Sequence, residues 1–347
     1  MIDKKKLLTT KNILVAAVLL ILVIIPLLPF TGAYAIQLLC QTMLFIFFAC
    51  AYNIIGGFAG HTSLGHACYI GIGAYTAVLL YNYGGVSPWL GMFVAGIVAA
   101  LIASVIGYVT FHMRGSYYTL SSVALLNCFR IYMASSQKVF GLNTGGAVGM
   151  KIPWMGESFS GMQFVSKVPF YYIFLVFMVV CFVLCWYIKN SKMGYYLAAI
   201  TTNQDAASSL GVNIMQYKLM ALCSSAFLTA MGGAVYAFFL ANIDPASMFN
   251  NDTSSRIMLM NVVGGQGTLW GPVLGSAILV PLNEWMRAKF GARLSGISFV
   301  FYGIILMAVV MFLPKGLVSL KDKFEKRRYE KLQTKEKTEE KEASVHE

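Results

Sequence analysis

Charge is what this sequence has least of. Only 12% of its 347 residues are Asp, Glu, Lys or Arg, about half the share of an ordinary soluble domain. With 58% hydrophobic residues and a mean hydropathy of +0.69, such a chain could not cover a globular surface with polar groups. Other absences narrow the function. No GxxxxGK[ST] loop occurs, so ATP is not bound here by that route. No HExxH, no GxSxG and no paired carboxylates occur within the apolar runs, which leaves a membrane-embedded enzyme without its usual parts. No Asp or Glu sits centrally in such a run, so a proton- or sodium-coupled carrier also lacks its machinery. The seven cysteines form no CxxC pair; Cys181 and Cys185 share a helix face and read as small buried hydrophobes, with no metal or redox chemistry implied.

What is present is a series of long apolar runs. They cover Ile13–Phe30, Ala35–Ile55, His66–Tyr81, Trp89–Met113, Tyr117–Ala134, Pro169–Ile188, Tyr217–Leu240, Ile257–Val263, Pro272–Trp285 and Ile297–Leu313. In lipid every backbone polar group must be paired internally, so runs of this length predict helices rather than barrel strands. The fold class expected is an all-α integral membrane protein of about ten transmembrane helices, some broken. The organisation expected is a cytoplasmic N-terminus over 1–12, a transmembrane domain over 13–313 and a charged cytoplasmic tail over 314–347. Ten of the 26 basic and eight of the 14 acidic residues lie in that tail.

The net charge of +12 has a membrane explanation rather than a nucleic-acid one. Lys4, Lys5, Lys6 and Lys11 precede the first run, and Lys315, Lys321, Lys323, Lys326, Arg327 and Arg328 follow the last. Basic residues gather at cytoplasmic helix ends, so both termini are expected inside a cell membrane and the number of crossings even. The run Ile13–Phe30 with Ala33-Tyr34-Ala35 imitates a cleavable signal, but about 18 apolar residues suffice for a retained first helix. Ile257–Val263 is too short to cross alone. A broken helix starting near Ser254 restores the even count.

Two polar connections stand out. Residues 135–168 form the longest interruption and fall outside the cell in this topology. Residues 189–218 fall inside, bracketed by Lys189, Lys192 and Lys218. In the second, Leu197 and Ile200 share one face of a short helix starting near Met193-Gly194. Asn203 offers the next N-cap, Asp205 suits the following first turn, and Leu210-Gly211 closes the unit. Two short amphipathic helices could dock a moving partner, or lie against their own bundle.

Glycine supplies the second signal. Gly56, Gly57 and Gly60, and then Gly264, Gly265 and Gly267, interrupt apolar runs without adding formal charge. Non-helical backbone at membrane depth survives inside protein or beside a watery cavity, and paired breaks of this kind flank transporter substrate paths. Close helix packing is the other reading, since Gly56/Gly60 and Gly271/Gly275 have GxxxG spacing. Asn53, His61, Ser63, His66 and Thr268, beside these breaks, are the candidate path-lining residues, although a histidine at a helix end is more often a structural hydrogen-bonding residue.

These motifs together resemble the LivM-type permeases of branched-chain amino acid ABC importers. The resemblance runs from about Leu39 to Leu317. It rests on AYNIIGGFAGHTSLGHACYIGIGAYTA from Ala51, RGSYYTLSSVALLNCFRI at Arg114–Ile131 and LNTGGAVGM at Leu142–Met150. SLGVN around Leu210, GGAVYAF at Gly232, VVGGQGTLWGPVLGSA at Val262 and FYGIILMAVVMFLPKGL at Phe301 complete the series. The resemblance implies alternating access, a second related permease, two cytoplasmic ATPase subunits carrying ATP and Mg, and an extracytoplasmic substrate-binding protein. It also implies that Met193–Gly211 is the ATPase-coupling element. Related permeases move urea, amides or nucleosides, and an ATP-independent channel is the alternative mode. This chain departs from the family's pattern where Tyr195, Thr201, Thr202 and Gln204 replace charged loop positions, and where His61 replaces a common Gln.

Overall fold

The computed structural model describes residues 17, 20–27, 32–112, 117–139, 141–290 and isolated positions between 303 and 318. Half of the run Ile13–Phe30, most of Ile297–Leu313, the first twelve residues and most of the tail therefore lie outside the described residues.

Helix α1 (Ala33–Asn53) is the axis of the bundle. From Cys40 it is almost entirely buried, because neighbours cover it on every side. A single widened π-type turn, Ile54–Phe58, continues it. The pair Gly56-Gly57 permits that turn: the Tyr52 ring lies where a side chain on Gly56 would be, and the Asn53 carboxamide lies where one on Gly57 would be. The chain then runs without helix to α2 (His66–Gly84). That stretch is held from the side by α4 (Tyr117–Ser135), whose Thr119 donates to the Thr62 carbonyl at 2.8 Å and whose Ser122 accepts from the Leu64 amide at 3.0 Å.

Helix α3 (Pro88–Thr110) precedes α4, and α5 (Val168–Asn190) follows the long connection. Two short helices, α6 (Lys192–Thr202) and α7 (Gln204–Ser209), lead into α8 (Ile214–Leu240). Glycines decide how closely α8 is approached. Gly73 of α2 lies on the Ala230 backbone, Gly233 lies on the Ile70 backbone, and Gly96 of α3 faces the Phe227 ring. Against α1, the thiols of Cys181 and Cys185 in α5 point at the carbonyls of Phe47 and Cys50, at 3.7 and 3.2 Å. Both are free, buried thiols, the packing role their spacing predicts.

After α8 come α9 (Pro245–Met248), α10 (Asn251–Gly264) and α11 (Gly271–Phe290). Helix α10 starts three residues before the expected Ser254, because the Asn250 side chain caps it by accepting from the Asp252 amide. Its last carbonyls are satisfied from the far end of the chain: Leu317 donates to Val263 at 2.8 Å and Val318 to Gly264 at 3.1 Å.

Four described helical segments are long and apolar enough to cross a membrane: Ala33–Phe58, Pro88–Thr110, Val168–Asn190 and Ile214–Leu240. The only strands among the described residues are two-residue pairs. β1 (Lys138–Val139) pairs with β2 (Leu142–Asn143) inside the 135–168 connection. β3 (Met150–Lys151) pairs with β4 (Asn242–Ile243), tying that connection to the end of α8.

Candidate functional site

The two glycine breaks meet. Asn53, the last residue of α1, is 1% exposed. Its Nδ2 donates to the Thr268 carbonyl at 2.8 Å, and its Oδ1 accepts from the Gly267 amide at 3.1 Å. Gln266 adds a bond from its Nε2 to the Gly56 carbonyl. The Thr268 hydroxyl closes its own turn, donating to the Gly265 carbonyl and accepting from the Gly271 amide. Gly265 and Gly267 have positive φ, of 120° and 76°, which explains glycine at both. Gly264 lies on the Gly271 carbonyl, and Gly275 lies on the Met260 carbonyl. Of the two readings of these glycines, the close-packing one is realised here.

The remaining candidate path residues divide. Ser63 and His66 are buried, at 2% and 0% exposure. The His66 Nε2 is 2.8 Å from the Ser225 hydroxyl, which donates onward to the Ala51 carbonyl at 2.7 Å. Its ring lies edge-on between Tyr52 and Tyr69, and its Nδ1 has no partner among the described residues. The Ser63 amide donates to the Tyr52 hydroxyl at 3.3 Å. His61 lies apart, with its Nδ1 2.9 Å from the Ala59 carbonyl and its ring against Phe111 and Tyr118. Burial, with the Lys218 ammonium nearby, lowers its pKa to about 4, against the opposing pull of the Ala59 hydrogen bond.

The α6–α7 pair folds as its sequence pattern suggests. Ser191 ends α5, and Gly194 lies where any side chain would strike the carbonyls of Ile188 and Lys189. Leu197 and Ile200 are buried, and Met193 packs partly buried against the same core. Asn203 caps α7 by accepting from the Ala206 amide at 3.0 Å, with Asp205 exposed in its first turn. Gly211, at φ 83°, ends the unit. Leu210 is 84% exposed and Tyr195 69% exposed, so the outer side of this element is apolar at two points.

What the sequence did not reveal is how this pair is wired to the breaks. Thr201 donates to the Phe58 carbonyl at 3.0 Å, and Gly60, at φ 68°, lies beneath the Thr201 methyl group. Lys189, in the last turn of α5 just before the pair, reaches the Gly267 carbonyl at 3.4 Å. Lys218, only 4% exposed, donates to the Gln204 side chain at 3.0 Å and forms no ion pair among the described residues. Thr201 bonds this pair to the first break, and Gln204 bonds it to α8.

A helical bundle with apolar outer faces, internally broken helices and a short helical element at one end defines a membrane-embedded permease. The chain belongs to the branched-chain amino acid transport system / permease component family, whose profile matches residues 34–311. Among curated proteins it is similar to the high-affinity branched-chain amino acid transport system permease protein LivM of Salmonella typhimurium. That match is 24% identical over 82% of this chain and 70% of that protein. It is 25% identical to LivM of Escherichia coli K12, over 80% of this chain and 68% of that one. The nucleoside ABC transporter permease protein NupC of Lactococcus lactis is 23% identical over 80% of this chain and 90% of its own length. No solved structure matches the chain.

Proposed function

We propose that this chain is the transmembrane subunit of an ATP-driven importer that moves a small polar solute, branched-chain amino acids first, by alternating access. The observation that carries the reading is that the α6–α7 element is bonded to the first helix break through Thr201 and Phe58, while Lys189, at the end of the α5 helix that leads into it, is bonded to the second through Gly267. A short helical lever bonded to one break, and joined to a helix end bonded to the other, can convert a partner's shape change into movement at both, which a passive pore does not need. In this reading the membrane is crossed ten times, with both termini and α6–α7 cytoplasmic and residues 135–168 external. ATP and Mg sit on two ATPase subunits, a second related permease completes the path, and an extracytoplasmic binding protein delivers the solute. Met193–Gly211 is the coupling element; Asn53, His61, Ser63, His66 and Thr268 surround the inner part of the path.

The similarity to NupC over most of both chains supports a nucleoside as the second substrate class. The deciding experiment purifies the tagged chain from native membranes in mild detergent, identifies its partners by mass spectrometry and reconstitutes it in liposomes. ATP-dependent uptake of leucine, isoleucine or valine is the expected result, and uptake of uridine instead would transfer the assignment to nucleosides. Recovery of the chain alone after crosslinking, with ATP-independent flux, would replace the importer with a facilitator.

A further inference from the structure

Helix α3 is sorted by side-chain size. Gly91, Ala95, Ala99, Ala103 and Gly107 recur every fourth residue, and all five are buried where α3 packs on α2 and α8. Leu90, Val94, Ile97, Leu101, Val105 and Tyr108 are large and exposed on the opposite side. Helices that pack together in a membrane meet through small residues, and a face of large aliphatic ones suits lipid. The stripe from Leu90 to Tyr108 is about 27 Å long at the helical rise, close to the hydrocarbon thickness of a bilayer. The chain leaves α11 on the far side of the bundle, since α11 packs mainly on α1 and α10.

At the Leu90 end of that stripe the 135–168 connection folds down onto α3. Residues 153–164 form a hairpin in which Ser158 and Gln163 exchange backbone bonds at 3.0 and 3.1 Å. The buried Gln163 side chain stiffens it, donating to the Pro153 carbonyl at 2.7 Å and accepting from the Met155 amide at 2.8 Å. Two side chains at the start of α3 fasten its turn. The Trp89 Nε1 donates to the Phe159 carbonyl and the Ser87 hydroxyl to the Ser160 carbonyl, each at 2.8 Å. Met162, 1% exposed, plugs the turn into the bundle, whereas Phe159 is 66% exposed. The Phe159 ring stacks on Trp89 at a centroid distance of 5.1 Å, next to the head of the aliphatic stripe. A ring fixed open to water forgoes the free energy of burial, and a half-buried indole with its N–H satisfied is characteristic of the membrane interface.

We infer that the hairpin of residues 153–164 is seated in the bilayer interface, with the Phe159 ring inserted among outer-leaflet lipids as the continuation of the α3 stripe. Lipid, not protein, is the partner of this surface. Trp89 marks the headgroup level, and the bonds from Ser87 and Trp89 hold the turn at that depth. This rests on the permease reading, which puts the connection outside, and adds that its tip is held by the membrane instead of standing in water.

The test is a depth measurement by spin labelling of the full chain in phospholipid vesicles, with Cys128→Ala removing the exposed thiol on α4. Nitroxide labels are placed at Phe159→Cys, at Ile97→Cys within the stripe as the lipid reference, and at Lys151→Cys on β3 as the water reference. Collision with dissolved oxygen is compared with collision with a water-soluble nickel chelate. The Phe159→Cys label is expected to favour oxygen several-fold more than the Lys151→Cys label and to approach the Ile97→Cys label. Ser160→Cys keeps the stack of Phe159 on Trp89 and is expected to fall between the two references. A Phe159→Cys label with the ratio of the water reference would show the hairpin standing in water. A label shielded from both reagents would show it covered by protein. Either result overturns the inference, even where an ATPase still co-purifies and the importer stands. A lipid-like label in a chain that purifies without an ATPase would keep the membrane seat and withdraw the importer.

Discussion

The carboxamide of Asn53 grips the backbone on both sides of the peptide group joining Gly267 and Thr268, although the residues lie 215 positions apart. It accepts from the Gly267 amide and donates to the Thr268 carbonyl, a two-point match that only an amide side chain makes. Asn53→Ala is expected to remove both bonds from half-buried backbone groups, at about 0.5–1.5 kcal/mol each. Asn53→Asp keeps the acceptor and should lie between. Thermal unfolding of the purified chain in detergent orders the three proteins, and equal melting temperatures would show that the grip contributes nothing.

Gly57 is predicted to be far less tolerant than Gly85. A methyl group on Gly57 would stand 2.6 Å from the Gly267 amide nitrogen and would also strike the Asn53 carboxamide. Gly85, at φ 60°, meets nothing within 4 Å, so alanine there costs only the left-handed backbone term of about 1–2 kcal/mol. Gly57→Ala should therefore lose several times more stability than Gly85→Ala, read as membrane-inserted yield and melting temperature. The reverse order would mean that the breaks separate freely.

Leu210→Ala and Asp205→Ala are expected to fold normally, because both side chains are exposed and stand outside the core. Changes at such sites shift stability by about 0.5 kcal/mol or less. Transport by either variant is predicted to fall at least tenfold, with the co-purified ATPase reduced and membrane insertion unchanged. Normal uptake by the double variant would remove the coupling role of this element.

His61 predicts a pH dependence with a definite sign. Its pKa is held near 4, below the ordinary value of 6.5, so the unfolded chain takes up a proton that the folded chain refuses. The stability associated with neutral His61 is whole above pH 6.5 and drains away as pH falls from there toward 4. His61→Gln should flatten that part of a melting-temperature profile taken from pH 7.5 to 4.5. A wild-type profile already flat in this window would contradict the burial argument.

The apolar runs from Ala35 to Trp285 were legible as helices because length and hydropathy act locally, and so was the shape of α6–α7, whose Asn203 cap and Gly211 stop are signals within a few residues. Helix α10 was only half legible. Its first turns, Asn251–Arg256, are too polar to register as membrane helix, and they are held in place by Asn127 and Ala67, which are remote in sequence. Lys218 read as one of the charges bracketing a loop. Its burial follows from packing of α7 against α8, which no local pattern announces. The glycine breaks could be located but not joined, since the bonds that join them depend on the fold of everything between.

Those long-range bonds also set an order in time. A ribosome that has released Asn53 must add more than two hundred residues before Thr268 exists to receive it, and Met150 waits for Ile243 in the same way. Throughout that interval the growing chain carries an unpaired amide at the end of α1 and an open turn after it. Any early stop before residue 267 would leave that amide without either of its partners.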